Sequence, residues 1–160
     1  MSQNKCSGVS SGLALFLFGA LAALADPPAG KNWELVFEDH FDYPDEQLDR
    51  NWISQNGPQG HILSSRWREN AVVSNGTLKL VARKEDRGGQ EWTAGSLWTR
   101  RLWRYGYFEC RYKYAASTGM NNSFWIMTRP EQHVPEDEGV KRFEIDINEG
   151  KYPDAIHLNL

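Results

Sequence analysis

Cysteine is scarce: two residues in 160, Cys6 and Cys110. That excludes the disulfide framework that staples small exported domains. No CxxC pair, H-E-x-x-H helix motif or glycine-rich phosphate loop occurs, so zinc, dithiol and nucleotide chemistry have no foothold, and nothing calls for a cofactor. An excess of positive charge is also missing. With 18 Lys and Arg against 21 Asp and Glu, the formal net charge is −3 and no basic stripe forms, so nucleic acid is not expected as a partner. Long apolar runs are absent except for Leu13 to Leu24, and no 3.6-residue apolar period follows it, which argues against a helical or membrane-embedded domain.

That single run follows Lys5 and ends at Ala23-Leu24-Ala25, the pattern of a secretory leader over residues 1–25. The expectation is a secreted product, extracellular or periplasmic, with one domain from residue 26 to 160. It should have no membrane contact after cleavage and be monomeric. Cys110 would then be the one cysteine left. Its alternation with Phe108 and Tyr112 predicts a small core hydrophobe and not a reactive thiol.

From Trp33 onward the pattern is β. Trp33–Phe37, Trp67–Val73, Thr77–Ala82, Gly95–Trp98, Tyr105–Tyr114, Ser123–Met127, Phe143–Ile147 and Ala155–Leu160 are rich in β-branched and aromatic residues and are separated by Gly, Pro, Asn and Asp. Asn75-Gly76 signals a tight hairpin. Short strands at this spacing predict an all-β sandwich or barrel. Glu131–Lys141 is polar and reads as a solvated loop.

The densest chemistry lies in Phe143-Glu144-Ile145-Asp146-Ile147-Asn148-Glu149-Gly150, with three carboxylates in six residues. Side chains alternate along a strand, so Glu144 and Asp146 share a face while Phe143, Ile145 and Ile147 face a core. Strict alternation would next bring Asn148 to the acidic face. A β-bulge at Ile147 and Asn148 would return Glu149 to it. Three like charges in a row push carboxyl pKa values apart, the condition for an acid and a nucleophile to coexist in glycosidic bond cleavage.

E-I-D-I-N-E resembles the bulged E-x-D-x-x-E signature of glycoside hydrolase family 16, which includes laminarinases, lichenases, agarases and carrageenases. The resemblance implies a curved β-sandwich of jelly-roll, concanavalin A-like type. It also implies a retaining endo-glycosidase acting on a β-linked polysaccharide, with Glu144 as nucleophile, Glu149 as acid/base and Asp146 tuning both. Retaining enzymes hold the two carboxyls roughly 5 to 5.5 Å apart, yet alpha carbons four strand positions apart lie about 13 Å from one another. The strand must therefore curve, its concave face drawing the side chains together. A transglycosylase would use the same intermediate. A non-catalytic glycan-binding jelly roll and an inactive fragment are the other readings, since the resemblance covers about the N-terminal half of the family's domain and predicts a truncated sandwich.

Three further stretches are similar to the family's motifs. Trp33-Glu34-Leu35-Val36-Phe37-Glu38-Asp39-His40-Phe41-Asp42 looks like its opening segment; Asp39 and Asp42 are either calcium ligands or turn carboxylates, and no metal is assigned. Tyr105 to Lys113 resembles a strand that implies cleft-lining Glu109 and Arg111; a surface ion pair is the alternative. Gly119 to Met127 implies that Ser123 and Trp125 face the cleft, with the indole as a platform for a sugar ring. It departs from laminarinases at Asn121-Asn122, where those carry Trp-Pro. His157 and Asn159 share a face of the last strand and complete the candidates, His157 being either a binding group or a core-edge histidine.

Overall fold

The computed structural model describes residues 26–128 and 143–160. The leader expected over residues 1–25 and the loop expected over Glu131–Lys141 lie outside the described residues. The chain divides into two units at Trp33 and Glu34. In the first, the Trp33 indole donates to the Pro28 carbonyl at 2.8 Å.

The second unit holds every described strand: β1 (Trp52–Ser54), β2 (Ser64–Arg66), β3 (Ala71–Val73), β4 (Leu78–Leu80), β5 (Arg83–Arg87), β6 (Gln90–Ala94), β7 (Leu97–Thr99), β8 (Asn121–Met127), β9 (Glu144–Lys151) and β10 (Ala155–Asn159). They pair as β1-β7, β3-β4, β2-β6-β5 and β10-β9-β8. All pairs are antiparallel except β2 with β6. Two 3₁₀ turns, Asp45–Arg50 and Arg68–Asn70, are the only helical elements among the described residues. The all-β class read from the sequence therefore holds.

The Asn-Gly hairpin forms as its chemistry demands. Asn75 and Gly76 adopt φ of 54° and 64°, the left-handed geometry that matches the twist of β3 and β4, and the Ser74 amide donates to the Thr77 carbonyl at 3.0 Å. Four strands escaped the sequence reading: β1, β2, β5 and β6. β5 reads Arg-Lys-Glu-Asp-Arg, so apolar alternation has nothing to report there. Conversely, Trp33–Phe37 and Tyr105–Tyr114 form no strand. Among the described residues no partner strand lies along either, and a β pattern becomes a strand only when a neighbour takes its backbone bonds. Cys110 accordingly is exposed and not a core residue, because alternation buries nothing where no sheet forms.

Leu48, Ala71 and Val73 are buried together, with Phe41, Tyr43, Trp52, Leu78 and Leu97 packed around them. Asp39 organises the entry to this core. Its Oδ2 accepts from the Tyr43 hydroxyl and the Trp52 indole, both at 2.8 Å, and its Oδ1 accepts from the Phe41 amide at 2.9 Å. Burial, and then the Asp39 carboxylate, push the Tyr43 hydroxyl well above its ordinary pKa. Asp39 is thus an internal acceptor for aromatic donors. Arg68 plays the complementary part, binding Asp49 Oδ1 at 3.0 Å, the Ala71 carbonyl at 2.6 Å and the Asp45 carbonyl at 2.7 Å.

Asp39→Ala strands two side-chain donors beside the core. We expect a loss of about 2 kcal/mol in stability, the scale of removing charge-assisted hydrogen bonds. Urea unfolding checks it; a midpoint unchanged from wild type contradicts the role given to Asp39.

Candidate active site

β9 is the central strand of its sheet, with β8 on one side and β10 on the other. Against β8 the register runs Ser123↔Glu149, Phe124↔Asn148, then Trp125↔Asp146, Ile126↔Ile145 and Met127↔Glu144, so Ile147 has no partner. Against β10, His157 faces Glu149 and Asn159 faces Asp146, so two steps on β10 match three on β9. The extra residue sits in the central strand, at the position the alternation argument required.

Its consequence is visible in the contacts of both faces. On one, the Asn159 carboxamide donates to Asp146 Oδ2 and to Glu149 Oε2, each at 3.2 Å, and Asn121 donates to Glu149 Oε1. On the other, Asn148 bonds the hydroxyls of Tyr112 and Tyr114, whose rings stack at 5.2 Å, and reaches the Asn122 carbonyl at 3.0 Å. A Cβ on Gly150 would overlap the Tyr114 ring, so glycine is needed beneath the site. The bulge sorts carboxylates to one side and a carboxamide, with its tyrosines, to the other.

The Glu144 carboxyl is pushed above the usual carboxylate range, first by partial burial, then by the charge of Asp146, a hydrogen bond with Asp146 and the charge of Glu149. His61 pulls in the opposite direction.

Ser123, Trp125 and His157 fall in register with the carboxylates. The Trp125 ring meets Trp98 of β7 edge-on, centroids 4.4 Å apart, and His157 Nδ1 lies 3.4 Å from Lys151 Nζ. Glu109 and Arg111 are placed differently. They are exposed on the segment that joins no described ladder; Glu109 Oε2 lies 3.4 Å from the Tyr107 hydroxyl. The two were expected on a strand face, and without a strand that face does not exist.

The sequence reading missed Asn121, which shares the parity of Ser123 and Trp125 along β8 and could have been found from it. It also missed His61, contributed by the loop between β1 and β2. Gln90 clamps that loop: its side-chain carbonyl accepts from the Gln59 amide at 2.8 Å, and its Nε2 donates to the carbonyls of Gln59 at 3.0 Å and Ile62 at 2.5 Å. No local signal links Gln90 to a loop some thirty residues earlier. Among the described residues, no group of three or more His, Cys, Asp or Glu side chains could hold a metal ion, and no helix is long and apolar enough to cross a membrane.

Comparison with known proteins agrees with this geometry. The profile of Glycosyl hydrolases family 16 matches residues 60–160, the stretch that contains the whole β8-β9-β10 sheet. A β-glucanase of Rhodothermus marinus is 34% identical over 140 residues, covering 79% of this chain and 47% of that protein. A κ-carrageenase of Pseudoalteromonas carrageenovora is 29% identical over 90% of this chain and 41% of its own length. The β-porphyranase D of Zobellia galactanivorans is 29% identical over 77% of this chain and 31% of its own length. The chain thus spans at most about half the length of these relatives. No solved structure matches it. With a bulged carboxylate strand at its centre and the family profile matched across most of its length, the chain belongs to glycosyl hydrolases family 16.

Proposed function

We propose that this chain carries the catalytic strand of a secreted endo-acting glycosidase that cleaves a β-linked polysaccharide with retention of configuration. The bulge in β9 carries the reading, because it returns Glu149 to the face of Glu144 and Asp146. The ionised Glu144 attacks the anomeric carbon while Glu149 protonates the departing glycosidic oxygen. The carbon–oxygen bond of the chain breaks and a glycosyl ester on Glu144 forms. Glu149, now a carboxylate, takes a proton from water, whose oxygen displaces Glu144 and releases the sugar. Asp146 accepts a hydrogen bond from Asn159 and, by its charge, raises the pKa of Glu144. Ser123, Trp125 and His157 line the same face, and Trp125 offers an aromatic platform to a pyranose ring. Glu109 and Arg111 remain proposed contacts for sugar hydroxyls farther along the groove. The relatives are named for β-glucan on one side and for carrageenan or porphyran on the other, so the substrate is a β-linked glucan or galactan.

The nucleophile is tested first. Glu144→Ala should lose at least a thousandfold in turnover, and azide should restore part of it by yielding a glycosyl azide of inverted configuration. Undiminished hydrolysis by the variant contradicts the assignment.

The pH profile tests the influence of Asp146 on Glu144. Glu144 must be ionised to attack, and Asp146 raises its pKa, so that pKa lies on the acid limb of kcat/KM. Asp146→Asn removes the neighbouring charge and should move the acid limb to lower pH. A limb that stays in place or moves up shows that Asp146 does not set the ionisation of Glu144.

A further inference from the structure

Glu149 is held by two carboxamides, one from each flanking strand. Asn121 of β8 donates to its Oε1 and Asn159 of β10 donates to its Oε2 at 3.2 Å, and the same Asn159 amide reaches Asp146 Oδ2. Both carboxylate oxygens are thereby fixed, so the plane of the carboxyl group is set and not merely its position. Bonds from opposite sides are needed for that. A glutamate has three rotatable side-chain torsions, and one donor would leave the group free to turn about the bond that carries it.

The two donors differ in origin. Asn159 faces Asp146 directly in the ladder and acts at the centre of the row. Asn121 faces Lys151 and reaches Glu149 diagonally, from the residue pair beyond Ser123 and Glu149. Its own strand holds it there. Asn122, its neighbour, points the other way and is tied to the Ala115 amide at 2.8 Å and the Gly150 carbonyl at 3.1 Å, which fixes the backbone from which Asn121 projects. The titratable groups around Glu149 are Glu144, Asp146 and Lys151 on β9, with Lys151 opposite Asn121, and His157 opposite Glu149 on β10. A neutral amide donor at position 121 orients the carboxyl group without adding charge to a row already crowded with it.

We infer that Asn121 is a positioning residue for acid/base catalysis: it aims the Glu149 carboxyl group at the glycosidic oxygen, with Asn159 holding the other oxygen. The inference rests on the proposed retaining mechanism and names a residue that this mechanism alone does not require.

Leaving-group dependence separates aim from fold. Departure of a sugar alcohol needs a well-placed proton, whereas departure of 2,4-dinitrophenolate does not. Asn121→Leu is close to asparagine in size and neutral but lacks the donor, and Asn121→Gln restores a donor on a longer arm. Each is assayed on whichever of laminarin, lichenan, agarose or carrageenan the wild type cleaves, and on the dinitrophenyl β-glycoside of the disaccharide released. For Asn121→Leu, polysaccharide turnover should fall about 10- to 100-fold, the scale of a misdirected catalytic group. The dinitrophenolate burst should stay within about twofold of wild type, since it needs no acid. Asn121→Gln should recover part of the loss. Asn159→Ala, changed from the other strand, should show the same split. Equal losses on both substrates, or no loss on either, overturn the inference while leaving the mechanism in place. A wild type that cleaves none of these polysaccharides sinks the mechanism itself.

Discussion

One unpaired residue in the central strand decides which side chains this sheet presents together. A β-strand has a side-chain period of two, so an odd separation puts two residues on opposite faces and an even one unites them. Glu144 and Asp146 are two apart; Asp146 and Glu149 are three apart. Only by dropping Ile147 from both ladders can the strand present all three carboxylates together and send Asn148 to the tyrosines behind. The rest of the sheet conforms to that displacement: glycine at 150 where the Tyr114 ring lies close, and amides at 121 and 159 within reach of Glu149.

Clustering three acids is electrostatically unfavourable, and the structure shows how the strain is handled. Burial and then the charges of Asp146 and Glu149 raise the Glu144 pKa, which favours its neutral form. Carboxamides supply hydrogen bonds to Asp146 and Glu149 without adding charge. His61, brought in on a loop clamped by Gln90, opposes the upward push on Glu144. Like charges at this spacing would destabilise an ordinary surface strand, so the site is kept at some expense in stability, as perturbed carboxyl clusters at functional sites generally are.

How much of this was legible in the sequence follows from the range of each signal. The bulge could be inferred because period and spacing are local quantities, and the Asn75-Gly76 hairpin because turn chemistry is local too. Ser123 and His157 were expected on the cleft face from the family resemblance, and both stand opposite Glu149 in the ladders. The Tyr105–Tyr114 strand did not form because pairing is a property of two segments, and alternation in one of them says nothing about the other. The core placement of Cys110 went with it. The Gln90 clamp joins distant stretches through backbone groups, which carry no residue identity. Asp39 read equally as a calcium ligand or a turn carboxylate; its acceptor role toward Tyr43 and Trp52 needs the three-dimensional arrangement.

The central claim is that Glu144, set by the bulge, forms a covalent bond to sugar. A 2-deoxy-2-fluoro glycosyl fluoride of the substrate disaccharide slows release of the glycosyl-enzyme more than its formation, so the intermediate accumulates. Digestion and mass spectrometry of the labelled protein then locate the sugar. The account predicts one fluoroglycosyl adduct on the peptide containing Glu144, attached to that residue. An adduct on Asp146 or Glu149, or full inactivation without any adduct, would contradict it.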